Sequence, residues 1–126
     1  MLKTHKELVV WQKAYALSLL MYRITRQFPD TEKFGLTGQL RRAAVSVVSN
    51  IAEGYNRGSR RDYVRFLLVT SGSLAELDTQ LMLARDLEYG SRERVDEALQ
   101  LAAEVERMLK ALIRSLRRDP GDGPEC

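Results

Sequence analysis

The feature that most constrains the fold of this chain is an apolar pattern of helical period that runs through nearly all of it. Apolar residues recur at spacings of three and four, and no stretch shows the sustained alternation of a half-buried strand. The clearest seam keeps alternating spacings of four and three, which is typical of a helix in a bundle. Its members are Tyr63, Leu67, Thr70, Leu74, Leu77, Leu81, Ala84 and Glu88. The sequence therefore predicts an all-α protein.

Breaks in this pattern separate the first two helices. The first helix is expected from about Glu7 to Gln27, before Pro29, which cannot continue it. Its apolar residues form two stripes, together wider than one core contact needs, which favours self-association. The second helix is expected to begin near Thr37, a suitable N-cap after Gly35.

The third and fourth helices have capping signals. Ser59 is followed three residues later by Asp62, a variant of the capping box, so Ser59 is predicted to start the third helix. The small residues of "SGS", 71–73, fall in the middle of that helix and predict the close approach of a neighbouring helix. Tyr89-Gly90 is expected to end it, and Ser91 to cap the fourth.

Short connections between long helices favour antiparallel neighbours. We therefore expect an elongated up-down-up-down four-helix bundle formed by residues 1–118, and a disordered tail at 119–126, where "DPGDGPEC" is rich in Pro and Gly. A helix of about 28 residues would span about 42 Å, so much side surface remains exposed for assembly into a homo-oligomer.

Several kinds of chemistry are poorly represented in the sequence. The chain has one cysteine, Cys126, and one histidine, His5, which we expect in a frayed N-terminus. Thiolate or histidine metal sites, and Ser-His-Asp or Cys-His catalysis, are therefore not expected. No stretch approaches the ~20 apolar residues of a membrane span, and the N-terminus lacks the pattern of a secretory signal. We predict a cytoplasmic protein without cofactor or metal.

The basic residues are concentrated in one window. The net charge is +3, but residues 37–65 carry six Lys or Arg against two Asp or Glu, while residues 66–126 carry eight against twelve. All six are arginines, which favours planar pairing with phosphate or carboxylate groups. Tyr55 and Tyr63 lie among them and can be interpreted as platforms for unpaired bases or as core residues. The predicted nucleic-acid-binding residues are Arg41, Arg42, Arg57, Arg60, Arg61 and Arg65.

Four further residues are candidates for packing rather than catalysis. Asn50 and Glu53 share one helix face in "SNIAEGYNRGS", a run that mostly reads as the end of one helix, a turn and the start of the next. Because no second titratable partner recurs at helical spacing, Glu53 is expected in a polar interface, paired with an arginine of this or another chain, or in a solvated stripe. Trp11 and Tyr15 are expected in the core or between subunits.

Three separated stretches resemble the bacterial four-helix-bundle proteins that are encoded within intervening sequences of 23S ribosomal RNA genes. They are "ELVVWQKAYAL", "FPDTEKFGLTGQLRRAAVSVVSNIAEGYNRGSRRDYVRFL" and "GSLAELDTQLMLARDL", and the likeness extends from about Glu7 to Tyr89. Val48 stands where members of the family usually have proline, so the second helix is expected to be straighter here.

The resemblance implies a four-helix bundle that assembles into a ring-like homopentamer, and it brings no catalytic motif. It also implies a fold similar to that of the accessory protein of diversity-generating retroelements, which partners a reverse transcriptase and binds nucleic acid. We therefore predict a non-enzymatic oligomeric protein that binds RNA or DNA. The alternative is a structural scaffold that recruits a protein partner without nucleic-acid contact.

Overall fold

The structure, a computed structural model, describes residues 2–118, and within them it contains four α-helices, two short 3₁₀ helices and no strand. This confirms the all-α prediction; the predicted tail at 119–126 lies outside the described residues. The 3₁₀ helices are His5–Glu7 and Asp30–Glu32. The α-helices are α1 (Val9–Thr25), α2 (Leu36–Tyr55), α3 (Arg60–Asp86) and α4 (Arg92–Arg118).

The helices surround one cluster of buried apolar side chains. α1 packs against α2 and α4, and α3 packs against the same two helices from the other side. The seam predicted for α3 is buried from Leu67 to Ala84. Thr70, its polar member, donates its hydroxyl to the Phe66 carbonyl (3.0 Å), so this buried group keeps a hydrogen bond.

The two apolar stripes of α1 have different surroundings. The stripe that includes Leu17, Met21 and Ile24 is buried in the core. The other stripe, which we call the aromatic stripe, lies mainly at the surface and contains Trp11, Tyr15, Leu19 and Tyr22. Packing within the protomer therefore leaves most of the aromatic stripe of α1 exposed.

The starts of α3 and α4 confirm two of the three predicted caps. The Ser59 hydroxyl accepts from the Asp62 backbone N–H (3.1 Å), and the Ser91 hydroxyl accepts from that of Arg94 (3.3 Å). Thr37 is not a cap, since it is buried inside α2. The helix begins directly after Gly35, as expected, and a carboxylate from the preceding segment contacts its N-terminus.

That carboxylate belongs to Glu32, in the 3₁₀ helix before α2. It accepts from the Leu36 backbone N–H and from the Tyr89 hydroxyl, each at 2.9 Å. The hydrogen bond from Leu36, and then that from Tyr89, lower the pKa of Glu32 from its ordinary value. A Cβ on Gly35 would lie 2.6 Å from a Glu32 carboxylate oxygen, so glycine leaves room for this contact.

α3 ends earlier than the predicted Tyr89-Gly90, at Asp86. The backbone N–H of Glu88 donates to the Arg85 carbonyl and that of Tyr89 to the Ala84 carbonyl, which is the Schellman arrangement. Glu88 occupies the left-handed position with φ 62°, where glycine is the usual residue.

Candidate nucleic-acid interface

The polar run "SNIAEGYNRGS" is held by contacts within the fold. The Asn50 amide donates to the Ser46 carbonyl (2.8 Å), and the Ser46 hydroxyl meets that of Ser73 on α3 (2.8 Å). A Cβ on Gly54 would lie 2.8 Å from the Phe66 Cβ, so α2 and α3 approach closely there. The run is therefore the end of α2, a turn and the cap of α3, as the sequence predicts.

The close approach predicted for "SGS" involves Ser73, which contacts α2 through Ser46. Gly72 does not take part, because a Cβ built on it meets nothing within 4 Å. α2 also continues through Val48 from Leu36 to Tyr55.

One end of the bundle brings three helix termini and the N-terminal segment together. The Tyr55 hydroxyl donates to the Leu2 carbonyl (3.0 Å), and the Asn56 amide lies 3.2 Å from Nδ1 of His5. The His5 ring also meets the edge of Trp11, with centroids 5.1 Å apart. The expectation of a frayed N-terminus around His5 is therefore wrong, because this segment packs on the end of α2.

Arg60 connects this end to α4. Its guanidinium donates to the Leu116 carbonyl (2.8 Å), one of the last carbonyls of α4, which have no partner within the helix. Arg60 therefore has a structural role at the C-terminus of α4, which its place in the sequence did not indicate.

Arg57, Arg61 and Arg65 lie near Arg60 at the start of α3. The guanidinium carbons of Arg57 and Arg65 are 5.2 and 4.6 Å from the Phe66 ring centroid, in cation–π contacts. Arg61 is exposed and forms no ion pair with a described residue. Four of the six predicted arginines are thus at one end of the bundle.

Arg41 and Arg42 are elsewhere, because they lie at the other end of α2. At 1.5 Å per residue, Arg42 is about 22 Å from Arg57 along the helix axis. Arg41 donates from Nε to the Thr25 hydroxyl (2.8 Å) and covers the Tyr22 ring at 4.7 Å. The structure therefore does not place these two arginines in one surface with the others.

Basic residues from the end of α4 complete this surface, and the sequence analysis missed them. Lys110, Arg114 and Arg117 recur at spacings of four and three on one face of α4, and this spacing was the signal that could have found them. With Arg118 they line a hollow of about 600 Å³ that also includes Leu68 and Ser71 of α3 and Ile113 of α4.

A second hollow, of about 560 Å³, lies on the other side of Leu68. Arg61 and Arg65 line it, together with Ser59, Asp62 and Val64. Leu68 is therefore an exposed leucine between two hollows with cationic walls. We call the surface around it the basic patch: Arg61, Arg65, Leu68, Lys110, Arg114, Arg117 and Arg118.

Few carboxylates lie close enough to neutralise the cationic side chains of the basic patch. Arg65 pairs with Asp62 at 3.6 Å and Lys110 with Glu106 at 3.2 Å, both as exposed pairs within one helix. The other four cations, among the residues described, have no ion pair; they are Arg61, Arg114, Arg117 and Arg118. This is an excess of positive charge that an anionic ligand would neutralise.

Tyr63 is a core residue rather than a platform for bases. Its hydroxyl is buried and has no hydrogen-bond partner among residues 2–118, and its ring packs against the core and the edge of Tyr55, with centroids 5.9 Å apart. Burial, with a smaller contribution from Tyr55, raises the pKa of Tyr63 to about 12. Tyr63 is therefore partly buried against the core, which is the second of the two interpretations that the sequence allows.

Glu53 and the aromatic stripe lie outside the basic patch. Glu53 is exposed and pairs with Arg57 of its own chain at 3.2 Å. Trp11 is partly buried against the core, and the Tyr15 ring stacks on it at 5.1 Å while remaining 49% exposed. Tyr15 is thus available for contact with another molecule.

Within residues 2–118, no group of three or more His, Cys, Asp or Glu side chains is arranged to hold a metal ion. None of the helices described has the length and apolarity needed to cross a membrane.

Comparison with known proteins identifies the family but no activity. A crystal structure from Bacteroides thetaiotaomicron, described as a protein of unknown function from the S23 ribosomal protein family, shares the fold with a TM-score of 0.75 at 23% identity. The match covers 84% of this chain and 99% of that chain. No match was found among curated proteins. The model of the family described as "23S rRNA-intervening sequence protein" matches residues 6–111, so the chain belongs to the 23S rRNA-intervening sequence protein family.

Proposed function

We propose that this protein is a cytoplasmic, non-enzymatic homo-oligomer that binds RNA or DNA through the basic patch. One observation carries this proposal: cationic side chains from the start of α3 and the end of α4 converge around Leu68, and four of them have no acidic partner among the described residues. Three of those four come from a part of the chain whose overall composition is acidic, so their grouping is a property of the fold.

The chemistry of these groups suits phosphate. Guanidinium groups are always charged at neutral pH and present planar donors that match phosphate oxygens. The patch presents them on helical elements, with the exposed Leu68 between two hollows that cationic side chains line. Nothing in it resembles a groove-reading motif, so binding should depend little on base sequence.

The arrangement of the helices that we propose is an antiparallel, up-down-up-down bundle. Contacts between successive helices support it. Arg41, near the start of α2, bonds to Thr25 at the end of α1, and Arg60 at the start of α3 bonds to the end of α4 at Leu116. In this arrangement the two basic segments belong to one end of the molecule.

The experiment compares two double variants that remove the same charge from opposite ends. Arg61→Ala/Arg117→Ala alters the basic patch, whereas Arg26→Ala/Arg94→Ala removes two exposed arginines of α1 and α4 far from it. Arg60 is left intact because it holds the end of α4. Affinity for a labelled RNA and a labelled DNA oligonucleotide is measured by fluorescence anisotropy at low salt.

The patch variant should bind both nucleic acids more weakly than wild type. The control variant should bind them with an affinity close to that of wild type, because its two arginines lie far from the proposed binding site. Equal weakening by the two variants would mean that only net charge matters and would contradict a localised site. If wild type binds neither nucleic acid at low salt, the proposed function is wrong.

Self-association is the second part of the proposal, and the resemblance suggests five copies in a ring. The aromatic stripe supports it, since Tyr15, Leu19 and Tyr22 are all at least 40% exposed in the protomer. Light scattering should give a mass several times the 14.4 kDa of the protomer. Leu19→Lys should lower that mass, and Val45→Lys on α2 serves as the matched exposed-apolar control. A monomeric wild type would contradict this part.

A protein scaffold is the alternative, and a different observation favours it. α3 exposes Met82, Leu83 and Leu87 away from the basic patch. Exposed apolar side chains of this kind are typical of protein contacts. In that case the Arg61/Arg117 variant would leave partner binding unchanged and wild type would not bind nucleic acid.

A further inference from the structure

We propose that the basic patch selects single-stranded nucleic acid over duplex, with an unpaired base seated against Leu68. This inference rests on the proposed function and adds the class of ligand. Its starting point is the composition of the patch, which combines cations at its edge with apolar atoms at its centre.

The geometry around Leu68 supports a base-sized site. The larger hollow, of about 600 Å³, has Leu68 and Ile113 as its apolar residues and four cationic side chains around them. The hollow is a wide depression open to solvent, so a nucleobase can lie in it against Leu68. Leu68 is 45% exposed, and its contact with a base would remove apolar surface of both from water.

The distribution of charge indicates where the strand would run. Lys110, Arg114, Arg117 and Arg118 line one hollow, and Arg61 and Arg65 line the other. Leu68 lines both. A strand that passes over Leu68 can therefore place phosphate groups beside the cations of both hollows while one base lies against the leucine in the larger hollow.

A duplex cannot use this arrangement. Its bases are paired and stacked inside, so it would present phosphates and sugars to Leu68 and leave the leucine without an apolar partner. Single-stranded recognition generally combines a cationic groove with an apolar or aromatic surface for unpaired bases. The patch has both elements, with leucine in place of the aromatic residue.

The test measures binding of one unstructured oligonucleotide, alone and annealed to its complement, at the same salt concentration. Wild type should bind the single strand severalfold more tightly than the duplex, because only the single strand can place a base against Leu68. Leu68→Gln keeps size and charge similar but removes the apolar contact, so it should lower single-strand affinity severalfold and leave duplex affinity unchanged.

Leu87→Gln is the matched control, since Leu87 is also an exposed leucine but lies directly after the other end of α3. It should change neither affinity, and circular dichroism should show both variants folded. Vesicles that contain anionic phospholipid form the third arm, because a lipid surface also combines negative charge with apolar groups. Loss of vesicle binding in Leu68→Gln without any effect on the single strand would overturn the inference.

The outcomes separate the two proposals. If single strand and duplex bind equally and Leu68→Gln matches wild type, this inference is wrong while the proposed function stands. If no nucleic acid binds at low salt, the proposed function itself fails, and this inference fails with it.

Discussion

Two glycines inside helices, Gly54 in α2 and Gly72 in α3, should respond in opposite ways to the same substitution. A Cβ on Gly54 would lie 2.8 Å from the Phe66 Cβ and 3.3 Å from both a ring carbon and the carbonyl oxygen of Tyr63. A Cβ on Gly72 meets nothing within 4 Å. Gly54→Ala and Gly72→Ala therefore share the change in helix propensity. They differ only in whether the new methyl group meets atoms of a neighbouring helix.

The magnitudes follow from these distances. Carbon atoms pack best at about 3.5–4.0 Å, so α3 would have to retreat by about 1 Å to accommodate the methyl group of Gly54→Ala. Overpacking of this kind costs about 1–3 kcal/mol, whereas alanine is about 1 kcal/mol more favourable than glycine inside a helix at either site. Gly72→Ala should thus stabilise by about 1 kcal/mol, and Gly54→Ala should be about 1–3 kcal/mol less stable than Gly72→Ala.

The assay is urea unfolding followed by circular dichroism, with all proteins at one concentration and the assembly mass checked by light scattering. The difference between the variants is the informative quantity, because the propensity gain cancels in it. If the two variants differ by less than about 0.5 kcal/mol, the α2–α3 approach at Gly54 is not as close as described. A loss of stability in Gly72→Ala would show that this part of α3 is covered by another molecule.

Three further predictions concern single side chains. Tyr63→Phe should leave stability unchanged or raise it by up to about 1 kcal/mol, because the buried hydroxyl has no partner. The folded-state pKa of Tyr63 is raised from 10.0 to about 12, so wild type should lose stability as the pH rises through that interval. Tyr63→Phe should lose less stability over the same interval. Parallel losses of the two proteins in alkaline unfolding curves would contradict this. Glu88→Gly should raise the free energy of unfolding by about 1 kcal/mol, because it relieves a left-handed backbone at φ 62°, and thermal unfolding checks it. Glu53→Gln should change protomer stability by less than about 0.5 kcal/mol, since the ion pair of Glu53 with Arg57 is exposed. The same variant should loosen the assembly. An unchanged and equally stable assembly by light scattering would show that Glu53 makes no contact between copies.

The helices could be predicted because each carries its own local signals. The α3 seam, the Ser59 and Ser91 caps and the turn in "SNIAEGYNRGS" all depend on residues within a few positions of one another. α2 begins close to the predicted position, but Thr37 is not its cap; the capping group, Glu32, lies in the preceding 3₁₀ helix and depends on space left by Gly35. Because this side chain does not belong to the N-cap residue, no simple sequence pattern predicts the contact.

The candidate site was harder to predict because it depends on packing between helices. Clustering along the chain suggested one group of arginines, but helical geometry separates Arg41 and Arg42 from the rest. The same geometry brings Arg114 and Arg117 beside Arg61 and Arg65, although about fifty residues separate them in sequence. A buried hydroxyl such as that of Tyr63 could likewise be recognised only from the structure.

The most direct test of the account is the salt dependence of wild-type binding to a single-stranded oligonucleotide. Each phosphate neutralised on a single strand contributes about −0.7 to the slope of log affinity against log salt concentration. If the four unpaired cations of the basic patch each contact a phosphate, the slope should be about −3. A slope near zero, or no binding at low salt, would contradict the central claim that this end of the bundle is a nucleic-acid interface.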